Sequence, residues 1–132
     1  MFELTINEKV YKFNFGFGFR RELDPRITRK IDGVSGKVEQ LGVQMAIAGI
    51  MDGDIEDILN VLDIANKEFE GEERITRKQL EKYIESEADL DELCENLLDF
   101  LKRANATKKI VARLQEMADE QKAKKEAENE QK

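Results

Sequence analysis

The chain contains no histidine, so the side chain that most often serves as general base or metal ligand is missing. Cys94 is the single cysteine. It stands among apolar residues of an expected helix and reads as a buried, unreactive thiol. No intramolecular disulfide can form, a pattern that fits a reducing compartment. Neither a Ser-His nor a Cys-His pair can be assembled. With 29 acidic residues in the chain, neighbouring carboxylates are expected everywhere, and they read as helix caps or solvated helix faces before they read as an acid–base dyad. No catalytic residue, cofactor or metal site is assigned.

Three segments come close to binding motifs and then depart from them. Gly16-Phe17-Gly18 has the start of a dinucleotide fingerprint, but Arg21 stands where the third glycine belongs and no parallel βαβ unit follows. Gly36-Lys37 sits as in a phosphate-binding loop, yet Ile31 replaces the first glycine and Val38 the hydroxyl residue that would meet magnesium. In Asp52-Gly53-Asp54-Ile55-Glu56-Asp57 the sixth position, where a calcium loop turns on glycine, is Asp57, and helical apolar periodicity runs through the segment. Asp54 reads more simply as a helix N-cap.

Arg20, Arg21, Arg26, Arg29, Lys30 and Lys37 form the one basic cluster. The plain reading is a solvated face that pairs with acidic neighbours. Its pairing with an acidic edge of a second copy would favour self-association. Nucleic-acid contact is disfavoured because the net charge is −7, which repels phosphate backbones and anionic lipid alike.

These residues need elements to hold them. Apolar residues make up 40% of the chain and charged residues 39%, with one proline, no tryptophan and a mean hydropathy of −0.62. That balance suits a helix-rich globular protein with a charged surface. The length of 132 residues implies one core. Phe2, Leu4 and Ile6, then Tyr11, Phe13 and Phe15, alternate with polar residues around Asn7-Glu8-Lys9, which predicts a β-hairpin with one buried face. Phe19, Leu23, Ile27 and Ile31 recur every four residues and predict helical structure over roughly 19–31, with Asp24-Pro25 as a cap or a kink. A loop follows at Gly33–Gly36.

Residues 37–51 predict a helix apolar nearly all round, which is either central to the core or covered by another chain. Its strip Gly42, Ala46 and Gly49 would let a neighbouring backbone come close. Asp54 caps an amphipathic helix closed at Gly71, Thr76 and Gln79 form a capping box, and Asp89 opens a helix whose inner face is Leu90, Leu93, Cys94, Leu97, Leu98 and Leu101. Beyond Asn105 the apolar stripe thins to Ile110, Val111, Leu114 and Met117, then stops. The expected fold is therefore α+β and mostly α. An N-terminal hairpin packs on a compact bundle of about five helices within residues 1–106, and a charged, helical or disordered tail occupies 107–132. No secretory leader is expected from MFELTINEKV, and no run of eighteen apolar residues exists. A cytoplasmic protein is expected.

The hairpin FELTINEKVYKFNFGFGF, the following RELD, the Leu41-Gly42 helix with its DGD-capped successor, and the segments ITRKQLEKYIES and ANATKK together resemble one family. Over roughly residues 1–115 the chain is similar to the tail assembly chaperones of long-tailed phages and prophages of Gram-positive bacteria. The resemblance implies a protein absent from the mature virion that binds the long helical tape measure protein, keeps it soluble, and helps recruit tail tube subunits. It also implies self-association, and in many members a longer frameshifted product. The lysine pairs Lys108-Lys109 and Lys124-Lys125 are where slippery codons would fall. Such a protein needs exposed apolar surface on a charged body. Val43, Ile47, Ile50 and Met51 are one candidate for that surface, with Phe17 and Phe19 as a second. Arg20, Arg21, Arg26, Arg29 and Lys30 are the candidate electrostatic contact. The open alternatives are a structural tail or connector subunit and a small nucleic-acid-binding regulator.

Overall fold

A computed structural model describes residues 1–33 and 36–130, the side chain of Glu130 excepted. Val34 and Ser35, within the loop expected at Gly33–Gly36, and the last two residues of the expected tail lie outside the described residues. The architecture is mostly α with an N-terminal antiparallel hairpin, as the patterning predicts. Strands β1 (Phe2–Ile6) and β2 (Lys9–Phe13) pair in register with Phe2 opposite Phe13 and Ile6 opposite Lys9. The two-residue turn places Asn7 and Glu8 at φ of 53° and 67°, both in the left-handed region that a tight hairpin of this twist demands.

The buried face of the hairpin carries aromatic rings into the body. Phe2, Phe13 and Phe15 join Phe19 of helix α1 (Phe17–Leu23) and Phe100 of helix α5 (Leu90–Arg103). Edge-on contacts of 5.6 Å between Phe2 and Phe100 and 5.1 Å between Phe15 and Phe19 supply the support a lone hairpin lacks. The Asn14 N–H also donates to the Ala65 carbonyl at 2.8 Å, fixing the end of β2 to helix α3 (Ile55–Asn66).

The helix expected over 19–31 is corrected by the structure. α1 stops at Leu23, a single 3-10 turn covers Asp24–Arg26, and the chain then runs extended through β3 (Thr28–Lys30). Pro25 has no N–H to continue the helix, and its ring crowds the preceding turn. The following β-branched Ile27 and Thr28 favour the extended chain. The helix expected over 37–51 is shortened for a related reason. β4 (Val38–Gln40) pairs with β3, Arg29 opposite Glu39, and helix α2 begins only at Gly42 and ends at Met51. β3 and β4 thus form a second antiparallel pair, an arm whose two strands are largely exposed.

The base of the arm is clasped by one buried carboxylate. Asp24 Oδ1 accepts from the Val43 N–H at 3.1 Å, and Oδ2 accepts from Arg20 Nε and Nη2 at 3.2 and 3.1 Å. Asp24 therefore caps α2, reaching Val43 nineteen residues onward, rather than a helix starting at Pro25. The Leu41 N–H donates to the Ile27 carbonyl at 2.8 Å, closing the same base. Gly42 sits so tightly here that a Cβ would lie 1.8 Å from the Leu23 carbonyl oxygen. Of the small strip read from the sequence, Gly42 admits a neighbouring backbone, whereas Gly49 makes room for the Asp57 side chain.

The remaining caps form where their sequences place them. Asp54 accepts from Asp57 N–H, Thr76 and Gln79 make the reciprocal box that opens α4 (Arg77–Ser86), and Asp89 accepts from Glu92 N–H at the start of α5. Each cap is worth about 1 kcal/mol. α3 ends at Asn66 rather than at Gly71, and Asn66 is a fully buried polar hub. Its amide donates to the carbonyls of Lys12 and Glu73 and accepts from Ile75 N–H and Arg74 Nη1. Helix α6 (Lys108–Glu130) inserts Ile110 and Val111 into the core, and Thr107 donates to the Leu101 carbonyl at the joint. Six α-helices stand among the described residues.

Two substitutions test this frame. Gly42→Ala is expected to cost about 1–3 kcal/mol, because the obstructing atom is backbone and cannot rotate away. Asn66→Ala leaves several buried groups without partners and is expected to cost at least about 2 kcal/mol. Urea midpoints at unchanged m-value check both.

Candidate protein-binding surface

Of the six apolar residues expected to meet partners, the structure encloses four. Phe19, Val43, Ile47 and Ile50 lie in the core of the single chain, and Met51 is half-buried against it. The reason is the position of α2, which packs against α1, α3, α5 and α6 at once. A helix apolar all round is here the centre of the bundle, so the free face expected at Val43, Ile47 and Ile50 is taken up inside the fold. Phe17 is the exception. It is 64% exposed and lies with Met1 on a shallow depression that also takes in Phe15, Phe100 and Ala104.

The basic candidates divide in the same way. Arg20 is held by Asp24 and donates to the Ala106 carbonyl at 3.2 Å, so it tightens the α5–α6 joint. Arg26 pairs with Glu22 at 3.6 Å and Arg29 with Glu39 across the arm at 2.6 Å. Glu22 also pairs with Lys67. Arg21, Lys30 and Lys37 are exposed and have no ion pair among the described residues. Ion pairing of three of the six basic residues weakens the positive field a phosphate backbone would need.

A second apolar surface was not anticipated. Ile55, Leu59, Ile84 and Leu90 floor a groove of about 380 Å³ where α3, α4 and the start of α5 meet, and Glu56, Glu81 and Glu85 line its walls. The caps Asp54, Thr76 and Asp89 place all three helix starts. Ile55 remains 49% exposed because it is the first helical residue after its cap and lies at the edge of the α3 stripe. Arg77 reaches Glu56 and Glu81 at 3.5 and 3.8 Å, whereas Glu85 has no ion pair among the described residues. A signal for this groove was readable. Glu81 and Glu85 stand four apart beside Ile84, a like-charge spacing that costs an isolated helix stability.

The arm is the third exposed apolar feature. Strand alternation puts Ile27, Arg29 and Ile31 on one face and Lys30 and Val38 on the other. Ile27, Ile31 and Val38 are all exposed. Both faces of this two-stranded unit therefore carry exposed apolar side chains.

Burial pushes Asp57 above the usual carboxylate range, with Asp54 and Glu56 adding to it. Burial likewise raises Tyr83, helped by Glu87 and Glu92. No cluster of three or more potential metal ligands stands among the described residues. No described helix is long and apolar enough to cross a membrane.

Comparison with known proteins gives one match. Residues 3–116 match the model of a family described as phage tail assembly chaperone protein, TAC. No curated protein and no solved structure matches the chain.

Cys94 supplies a check on the packing of α5. Partial burial raises its thiol, and Asp91 raises it further, so less thiolate is present at a given pH than in an unfolded chain. Alkylation by iodoacetamide at pH 8 is expected to be several-fold slower in the native protein than in urea. Equal rates would contradict this placement.

Proposed function

The chain belongs to the phage tail assembly chaperone family, and we propose that it binds the tape measure protein, keeps it soluble and helps bring tail tube subunits to it during tail morphogenesis. The match over residues 3–116 carries this reading. Family membership assigns an assembly role rather than a catalytic one. In this reading the protein works in the cytoplasm of the bacterial host, stays out of the mature virion, and associates with further copies of itself along its client. The tube subunits are engaged by this form or by a longer frameshifted one.

The chemistry of the surface supports the reading. A long apolar helical client aggregates through its own exposed stripe. A chaperone has to cover that stripe while presenting a charged exterior. The 39% charged residues and net charge of −7 supply the exterior. Exposed apolar groups in several separate patches supply the contacts. We assign the client to the depression around Phe17 and Met1, where an aromatic ring stands free on a ledge of buried aromatic residues. A ring held this way offers large contact area at little entropic cost.

Co-expression with the tape measure protein of the same phage is expected to raise the soluble fraction of that protein several-fold. Phe17→Ser is expected to abolish most of the gain while leaving the chaperone's circular dichroism and melting unchanged. No gain from the folded wild-type protein would overturn the reading. A full gain with Phe17→Ser would move the client to another patch.

A further inference from the structure

We propose that the outer edge of β1 accepts an extended, lysine- or arginine-bearing segment of a partner protein as a third strand of the N-terminal sheet. This goes beyond the client contact at Phe17 and uses a different surface.

The two edges of the hairpin are placed differently in the fold. The two-residue turn makes Ile6 and Lys9 a hydrogen-bonded pair, so Leu4 with Tyr11 and Phe2 with Phe13 are the next such pairs. The residues between them turn their N–H and C=O groups outward. On β2 that outer edge is occupied. The Lys12 carbonyl accepts from Asn66 Nδ2 at 2.9 Å, and beyond it the Asn14 N–H donates to Ala65. On β1 the outward residues are Glu3 and Thr5, and neither has a backbone partner outside the hairpin among the described residues. An open edge of this kind is a template for another strand.

The surface beside the edge favours one kind of strand. A groove of about 340 Å³ lies between Leu4 of β1 and the corner where α4 leads into α5. Half-buried Leu4 and Ala88 and buried Leu93 form its apolar part. Glu87, Asp89 and Glu92 line it, no basic residue does, and none of the three has an ion pair among the described residues. Glu87 and Glu92 converge on Tyr83, whose hydroxyl is raised by burial and then by these two carboxylates. A strand paired to β1 directs every second side chain toward the groove. Lysine or arginine at those positions lays its aliphatic stem on Leu4 and Leu93 and brings its charge to Glu87 and Glu92. Acidic segments are repelled. Backbone hydrogen bonds then supply the affinity, and the groove supplies the choice of partner.

The test uses the full chain and a fluorescein-labelled peptide of alternating lysine and valine, titrated by fluorescence anisotropy at low salt. Saturable binding is expected, and the Glu3 and Thr5 amides are expected to gain protection from hydrogen exchange as the peptide is added. N-methylation of one alternate set of peptide residues is expected to weaken binding about tenfold or more, while N-methylation of the other set leaves it nearly unchanged, because one set alone turns its N–H groups toward β1. Glu87→Gln with Glu92→Gln is also expected to weaken binding about tenfold. Both positions are exposed, so this variant should keep the native circular dichroism spectrum. No saturable binding below about 1 mM, equal losses from the two methylated sets, or unprotected Glu3 and Thr5 amides would each overturn the proposal. Protection of those amides in the free protein that rises with its concentration would also overturn it, by giving the edge to a second copy. Phe17 is unaltered throughout, so failure here leaves the client reading standing.

Discussion

The fold turns on where the Asp24 carboxylate lies. It is buried, it follows α1 directly, and it caps α2 across the whole length of the arm by accepting from Val43 N–H. The same group orients Arg20, which donates to Ala106 at the α5–α6 joint. One ionised side chain therefore fixes the end of α1, the root of the arm, the start of α2 and the approach of α6. A hydrogen bond to a charged group of this kind contributes about 1.5–3 kcal/mol, and leaving it unmade in a buried place costs more. Gly42 makes the clasp possible, since any side chain there would meet the Leu23 carbonyl.

Clasping residues 27–41 at their base frees them from the body. The arm can then carry apolar side chains in water without loosening the core, because its ends are pinned by Asp24 and by the Leu41–Ile27 bond. The groove on α3, α4 and α5 arises from the opposite circumstance. The starts of α3 and α5 meet the second half of α4, and the residues nearest the two caps, Ile55 and Leu90, are too close to the helix ends to be covered fully by neighbours. At the opposite end of α3, Asn66 ties β2, α3 and the approach to α4 through one amide. Such surfaces suit an assembly protein. Their value lies in being apolar enough to bind and charged enough at the margins to remain selective.

Much of the local structure was legible in the sequence. The alternation of Phe2 to Phe15, the caps at Asp54, Thr76 and Asp89, and the closeness allowed by Gly42 rest on near-neighbour chemistry, which the sequence displays directly. The family resemblance was legible in the same short segments. The arm was not, because Phe19, Leu23, Ile27 and Ile31 keep helical spacing through a place where Pro25 ends the helix. The polar hub at Asn66 was missed because its partners come from residues 12, 73, 74 and 75, and nothing local marks it as buried.

Residue types and spacing by themselves determined the absence of histidine chemistry, the acidic charge, the N-terminal hairpin, the capped helices and the identity of the apolar stripes. Only the tertiary structure decided which stripes remain exposed. Hydrophobicity says that a surface must be covered, but it carries no direction and does not say by what. Val43, Ile47 and Ile50 of α2 are enclosed because four helices pack around that face, while Phe17, the arm and the α3–α4–α5 groove are left open because no described element of the same chain passes over them.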